Sequence, residues 1–499
     1  MLPIKQFDFS KRSLRAKKRT ERISFADFVV RDRPDEWQDG AHIRLLCDTL
    51  ERVAAGDPDY KRVMVFMPPR HIKSETVSRK FPAWYLGNYP DNSIILCSYA
   101  ADLAEGFSRI ARNTLMERSE WFGGVTVASD SRSVSDWHTA GRRGGMVAAG
   151  VGGPIAGKGA NIALIDDPVK NSEEAASETV REHIWDWYRS TFRTRLTPGG
   201  AIVLVMTRWH EDDLAGRLLA EQASGGEQWR VISLPAIAEA NDLLGRPEGE
   251  PLWPQMFPLT ELEPIKRTLG SYLWSALYQQ RPSPEEGLRF HRSWFRYFTD
   301  EGDIYTLHRP GMSPEHVRKS ECFTFQTVDP AASEKETADF FVCSTWAKTP
   351  GNTLLLLDVF REHAETTKHE QILRDQLLRH NSRLLIVEQA TFGINIIQAL
   401  ARKGLPVIGV KADRDKLSRS LPLAARYEAG AVYHRKGAPW LGICEDELLG
   451  FPTGKHDDFV DTAAYAALQV VRWSAEPAVK PRALPYTGQW ADKQIRGGA

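Results

Sequence analysis

The segment VMVFMPPRHIKSE, residues 63–75, sets a lysine and a hydroxyl, Lys73 and Ser74, just behind an apolar run and a Pro-Pro turn. That order suits phosphate chemistry, because loop N–H groups and a helix N-terminus attract the anion while a lysine neutralises it. In the pattern G-x-x-x-x-G-K-[ST] the lysine reaches the β- and γ-phosphates and the hydroxyl goes to Mg²⁺. Here the two glycine places hold Met67 and Ile72. Alone, Lys-Ser after a strand describes an ordinary helix start equally well. A second run, ANIALIDDPVKN, ends in Asp166-Asp167. One carboxylate there can hold Mg²⁺ through water while its neighbour orients the attacking water. The competing reading is a capping Asp-Asp-Pro turn. A third, VLVMTRWHEDDLAGRL (203–218), delivers Thr207 and Arg208 to the same sheet edge, with Thr207 able to sense the γ-phosphate. Together the three segments point to ATP hydrolysis.

A different set of acids lies downstream. Asp329 ends the run FQTVDPA, Glu388 ends LLIVEQ, and KHDDFVDTAAY places Asp457, Asp458 and Asp461 at a helix start. Positions 458 and 461, or 457 and 461, share a helix face. Aspartates at a helix start are also good capping residues. Carboxylates at two strand ends and one helix start nonetheless match a two-metal phosphodiester site. Oxygen-only donors suit Mg²⁺ or Mn²⁺ rather than zinc.

Two regions of alternating elements must position these groups. The first carries apolar runs at 62–67, 93–99, 160–166, 201–207 and 230–234, with helical stretches such as 101–118 and 173–193 between them. Strands alternating with helices imply a mainly parallel sheet covered on both faces. The second opens with a strand, CFTFQTVD, and a hairpin turning at Pro350-Gly351-Asn352. Helix 366–380, strand 383–388, helix 393–403, strand 406–410 and a final helix from about 457 follow. Three antiparallel strands, then alternating helices and strands, is the order of the RNase H-like nuclease fold. The expected organisation is a basic arm at 1–35, an ATPase domain at 36–236, a junction at 237–318, a nuclease domain at 319–474 and a disordered tail at 475–499.

Composition sets the outer bounds. At 499 residues the chain exceeds one ordinary core, and 42% hydrophobic with 26% charged residues is globular. Five scattered cysteines form no C-x-x-C pair, which argues against a zinc site or a disulfide framework. No apolar run reaches the roughly 20 residues that span a bilayer, so no membrane partner is expected. Sixty-five Lys+Arg balance 65 Asp+Glu, so net charge is silent about nucleic acid. The basic stretch KRSLRAKKRTER (11–22) is either a solvated arm or a phosphate contact.

The segments PPRHIKS, LIDDPVKN, TRWHEDDLAGRL and LYQQRPSPEEG, in this order, resemble the large terminase subunits of tailed bacteriophages and their prophage copies. The resemblance spans roughly 35–472. It implies an α/β P-loop ATPase of ASCE type followed by an RNase H-like nuclease, acting as a DNA-packaging motor. By resemblance the phosphate loop is Pro69, Arg70, His71, Ile72, Lys73, Ser74 and Glu75. Lys73 and Ser74 then meet phosphate and Mg²⁺, Asp166 is the Walker B acid, and Asp167 stands where the catalytic glutamate often stands. Thr207 belongs to the coupling motif, Arg70 acts as an arginine finger in cis, and Gln38 reads adenine. The nuclease metals fall to Asp329, Glu388 and Asp458, with Asp457 and Asp461 next and Asp339 behind them. His456 is more a neighbour of the site than a ligand. Expected partners are double-stranded DNA, the portal and procapsid, a small terminase subunit, and further copies in a ring, a pentamer by resemblance. Arg142, Arg143, Arg193 and Arg195 are candidates to reach a neighbouring subunit's ATP. The expected setting is the bacterial host cytoplasm, with transient docking on the procapsid and no place in the mature virion. An ATPase–nuclease of a mobile element or repair system, with no capsid role, is the alternative. The departure from the family pattern is Ile72 in a glycine's place, which predicts slow turnover or a reshaped loop.

Overall fold

After its first residue the run Arg62–Phe66 (β1) is wholly apolar, because both of its faces are covered. Val63 and Val65 join one buried cluster, while Met64 and Phe66 join another on the opposite side. The same alternation divides Ala160–Asp166 (β6) and Leu196–Met206 (β7): Leu164 and Val203 face one layer, Ile165 and Leu204 the other. Each fully buried aliphatic side chain contributes about 1.5–3 kcal/mol, so two filled layers fix these strands firmly. The computed structural model describes residues 22–32, 40–282, 290–330, 340–389, 391–411, 416–452 and 457–475. Gln38, Asp339, His456 and the two terminal segments (1–21 and 476–499) lie outside them.

The chain divides into two compact units, Met1–Gly287 and Leu288–Ala499. The first is built on an eight-stranded sheet. Besides β1, β6 and β7 it contains Ser93–Ser98 (β2), Val127–Arg132 (β3), Asp136–Thr139 (β4), Gly145–Gly150 (β5) and Arg230–Ser233 (β8), in the order β3-β4-β5-β2-β6-β7-β1-β8. From β5 to β8 every pairing is parallel. The register sets Phe66 beside Met206 and Val205 beside Asp166, so the loops after β1, β6 and β7 leave at one edge. That edge gathers Lys73, Asp166, Asp167 and Thr207. The antiparallel edge β3–β5 is absent from the sequence reading, because β3 and β4 carry Asp, Ser, Arg and His in place of an apolar run and β5 is largely Gly and Ala.

The second unit holds a nine-stranded sheet. Its centre is Phe323–Asp329 (β12), Phe341–Lys348 (β13) and Leu354–Glu362 (β14), antiparallel in sequence, with Leu385–Glu388 (β15) and Val407–Val410 (β16) added in parallel beside β12. This order, β14-β13-β12-β15-β16, is the RNase H-like one expected from the sequence, and the hairpin turns at Thr349–Thr353 as expected. Beyond β14 lie Val432–Arg435 (β17) and a meander of Arg296–Glu301 (β9), Ile304–His308 (β10) and Glu315–Arg318 (β11). This corrects the expected single junction at 237–318. Residues 296–318 are strands of the second sheet, β9 pairing in parallel with β17, whereas residues 236–280 bond back within the first unit. Alternating charged and apolar residues at 296–318 disguised half-exposed strands as loop.

Candidate active sites

At the first unit's edge, Lys73 is buried and gripped by two groups. Its Nζ donates to Thr207 Oγ1 at 2.7 Å and lies 2.9 Å from Asp167 Oδ2. Asp167 Oδ1 also accepts the Thr207 N–H at 2.8 Å, so lysine, aspartate and threonine close a ring. Asp166 faces the other way. Its Oδ1 accepts from Ser74 Oγ at 3.0 Å, and its Oδ2 accepts from Ser78 Oγ, one turn further along the helix. Only 1% of Asp166 is exposed, and burial, followed by repulsion from Asp167, pushes its pKa well above the carboxylate range. A cation placed there offsets both effects, and Ser74 with Asp166 provides the hydroxyl and carboxylate that suit Mg²⁺.

The backbone at this edge passes through the left-handed region at three residues that are not glycine: Arg70 (φ 65°) and Ile72 (φ 57°) in the loop after β1, and Asp167 (φ 43°) just after β6. Such conformations cost on the order of 1–3 kcal/mol each and gather at functional sites. Ile72 thus adopts the backbone that a glycine would take freely, while its side chain rests against the core. Replacing Ile72 by Gly removes the strain but also a half-buried side chain, terms of about 1–2 kcal/mol each that nearly cancel in stability. The Cβ beside the phosphate path does not cancel. Ile72→Gly should therefore raise steady-state ATP turnover by about 3–10-fold with little change in melting temperature. An unchanged rate and nucleotide affinity would remove the loop strain from the account.

Other loop residues serve differently from the reading by type. His71 is fully buried: its Nδ1 bonds Pro69 O at 2.8 Å and its ring stacks on Phe257 at 4.5 Å. Its side chain braces the loop from beneath, leaving only backbone to meet a phosphate. Pro69 has no N–H to offer. Glu75 accepts from Arg79 at 2.7 Å one turn on, and Arg70 is exposed. Burial lowers the His71 pKa to about 4, and it lowers that of His42, which packs near it, to about 3. Both rings are neutral when folded, whereas the unfolded chain takes up protons near pH 6.5. Stability is therefore present in full above about pH 6.5 and is lost as pH falls toward about 4, by a few kcal/mol. Urea unfolding at about pH 7.5 and about pH 5 should show the drop, and His42→Phe should shrink it.

The motif TRWHEDDLAGRL is a lock behind Thr207. Arg208 Nε donates to Asp213 Oδ2 at 2.8 Å, both side chains buried, while Asp213 Oδ1 caps the helix Leu214–Ala223 by accepting the Gly216 N–H at 2.9 Å. A Cβ on Gly216 would sit 1.7 Å from the Glu211 carbonyl oxygen, so only glycine fits. Gln280, from LYQQRPSPEEG, accepts the Arg208 N–H at 3.3 Å. Of the four candidate trans-acting arginines, Arg193 pairs with Glu227 beside Arg62 at the start of β1. Arg142 and Arg143 lie on the turn leading into β5, near Asp91, and Arg195 immediately precedes β7. All four occupy the sheet edge opposite Lys73.

In the second unit, β12 and β15 run parallel with Val328 beside Val387, so Asp329 and Glu388 leave adjacent strand ends. Helix Asp458–Ala475 packs over β12 and β13 through Ser344 and Thr462, whose hydroxyls are 2.6 Å apart. Its first turn carries Asp458 and Asp461, with Asp457 just ahead. Arg419 joins this helix to the strands: Nη2 donates to Asp461 Oδ1 at 3.0 Å, and Nη1 lies 3.8 Å from Glu388 Oε1. Burial raises the Asp461 pKa despite its cationic neighbours. Asp458 turns its Oδ2 toward Arg361 Nη2, 3.7 Å away, which pairs with Glu447 at 2.8 Å. Arg419 thus links Asp461 to Glu388, while Asp458 faces Arg361. Among the described residues no three of these acids stand close enough to share a metal ion as they lie; Lys416 sits between Asp457 and Asp461, Arg419 between Asp461 and Glu388, and Arg361 beside Asp458. The donor set itself, carboxylates at converging element ends that are buried or half-buried, fits hard divalent cations.

Comparison with known proteins joins both sites. The family described as "Terminase large subunit, T4likevirus-type, N-terminal" matches residues 65–297, and "Terminase RNaseH-like domain" matches 326–469. The chain belongs to the large-terminase family. It is a phage DNA-packaging protein that carries an ATPase and an RNase H-like nuclease. Among solved structures, the large terminase of a thermophilic bacteriophage shares the fold: TM-score 0.51 at 11% identity, covering 87% of this chain and 100% of that one. A large terminase nuclease from a second thermophilic phage, with bound magnesium, aligns at 16% identity over 37% of this chain and 95% of its own, with a TM-score of 0.25. No curated protein matches significantly in sequence. Within this terminase the sequence reading missed Ser78, Lys416, Arg419 and Arg361. Ser78 had a signal, lying one helical turn after Ser74; the cations belong to contacts that no local pattern announces.

Proposed function

We propose that this terminase chain uses ATP to drive double-stranded DNA into a procapsid and cuts concatemeric DNA at a metal site in its second unit. The ring of Lys73, Asp167 and Thr207 beside Asp166 carries the reading, since it sets a phosphate-binding lysine against two acids at one sheet edge. Lys73 and the loop N–H groups of 70–75 take the β- and γ-phosphates of ATP. Ser74 and Asp166 hold Mg²⁺, Asp167 orients the attacking water, and Thr207, released or held by Lys73, reports the γ-phosphate. Arg70, exposed beside the loop, neutralises developing charge. In the second unit Asp329 and Glu388, with Asp461, Asp458 and Asp457 from the helix start, hold Mg²⁺ or Mn²⁺. Two such ions supply an activated water and stabilise the leaving 3′ oxygen. Gln38 is kept as the adenine-reading residue. The partners are the portal of the procapsid, a small terminase subunit and further copies in a ring, acting in the host cytoplasm.

The test is packaging of linear DNA into purified procapsids by the wild-type chain with ATP and Mg²⁺, scored as nuclease-protected DNA. Protected DNA that depends on the portal supports the reading. DNA-stimulated ATPase and cutting, with no packaging under any combination of portal and small subunit, would favour an ATPase–nuclease without a capsid role.

A further inference from the structure

Helix Lys416–Glu428 lays two cations, three residues apart, across the acids of the second unit. Lys416 pairs with Asp457 and also with Asp461, its Nζ 3.2 Å from Asp461 Oδ2. Arg419 takes the other oxygen of the same carboxylate at 3.0 Å, donates to the Tyr465 hydroxyl at 2.6 Å, and faces Glu388 at 3.8 Å. Asp461 is therefore held on both oxygens by positive charge, which is the charge a divalent ion would bring.

The two cations differ in freedom. Arg419 is buried, and three partners fix its planar head. The Lys416 side chain is 39% exposed and its ammonium sits on a flexible stem, so it can move into solvent without disturbing the helix. Resting on the nuclease reading above, we propose that Lys416 is a built-in counter-ion that competes with divalent metal for Asp457 and Asp461. Arg419 stays in place and keeps Asp461 aligned with Glu388. The nuclease site then charges with metal only as Lys416 leaves, which restrains cutting at low metal concentration.

Calorimetric titration of the full chain with Mn²⁺, at constant ionic strength, separates the outcomes without reference to cleavage. Lys416→Met keeps the stem and removes the charge, and should bind Mn²⁺ about fivefold more tightly or better, the range expected for releasing a half-exposed ion pair. Lys416→Arg, which keeps the charge, should remain close to wild type. Equal or weaker binding by Lys416→Met overturns the competition and makes the lysine a support of the site. Absence of Mn²⁺ binding by wild type, or binding that Asp461→Asn leaves unchanged, overturns the metal-site reading and the inference with it.

Discussion

Lys73→Ala should lower ATP hydrolysis by about 10²–10³-fold, a loss of about 3–4 kcal/mol of transition-state stabilisation. Two separate terms add. The first is the missing positive charge on the β- and γ-phosphates, which nothing else in the ring around Thr207 replaces. The second concerns the acids. Asp166 is buried against Asp167, and Lys73 is among the groups that keep its pKa from rising further. Without that lysine Asp166 holds a proton more readily, so the carboxylate that would hold Mg²⁺ is lost along with the phosphate contact. The variant should also melt earlier, because a partner is removed from a largely buried charge. Lys73→Arg tests the balance: it restores charge, but its fork does not fit the narrow site between Thr207 Oγ1 and Asp167, so turnover should stay well below wild type. Normal turnover by Lys73→Ala would mean that hydrolysis happens elsewhere. Cleavage of DNA in Mg²⁺ should survive in this variant, since its acids lie in the other unit.

How much of this was legible before any coordinates depended on burial. The strands at 62–66, 93–98 and 160–166 read clearly because both faces are covered, leaving one continuous apolar run apiece. The sheet margins did not. β4 reads Asp-Trp-His-Thr, yet Trp137 is fully buried and its indole bonds Ser108, one aromatic residue anchoring a strand that has no pattern. Helix Lys416–Glu428 was hidden by Pro422, β17 by its four residues, and the helix Leu441–Gly450 by a face that mixes Cys444, Glu445 and Glu447 into the interior. The residue types picked out Lys73, Ser74, Asp166, Asp167 and Thr207, which the fold brings to one sheet edge because they follow strand ends. The residue type did not show that the His71 ring belongs to the core beneath the loop, leaving its backbone to face the loop's interior. The anomaly at Ile72 was visible as a broken pattern, and its φ of 57° is the backbone reason that a glycine suits the place. In the second unit Asp329 and Glu388 were picked out as strand-end acids, and their strands do lie side by side. What was not legible is that one helical turn sets Asp461 against Arg419 and Asp458 against Arg361.

Asp329→Ala should abolish DNA cutting, by about 10³-fold or more, while ATP hydrolysis stays at the wild-type rate. Asp329 and Glu388 leave neighbouring parallel strands, so removing one carboxylate leaves the other facing Arg419 with less negative charge to share. That shift favours the ion pair over any divalent ion and compounds the loss of a ligand. Asp329→Asn separates the two contributions: it keeps a neutral oxygen donor and the side-chain volume, and should recover only a small part of the activity, with a raised metal requirement. The fold is not at risk, because Asp329 is half-exposed at the end of a strand whose buried residues are upstream. Plasmid cutting at the normal rate in Mg²⁺ by Asp329→Ala would move the nuclease away from these acids. The contrast with Lys73→Ala then decides whether the two units are separate engines. Given DNA that is already linear, Asp329→Ala should still fill procapsids, because translocation requires ATP and not a cut, whereas Lys73→Ala should cut but not fill. If both variants fail to package linear DNA, the acids of the second unit grip DNA during translocation as well as cleaving it.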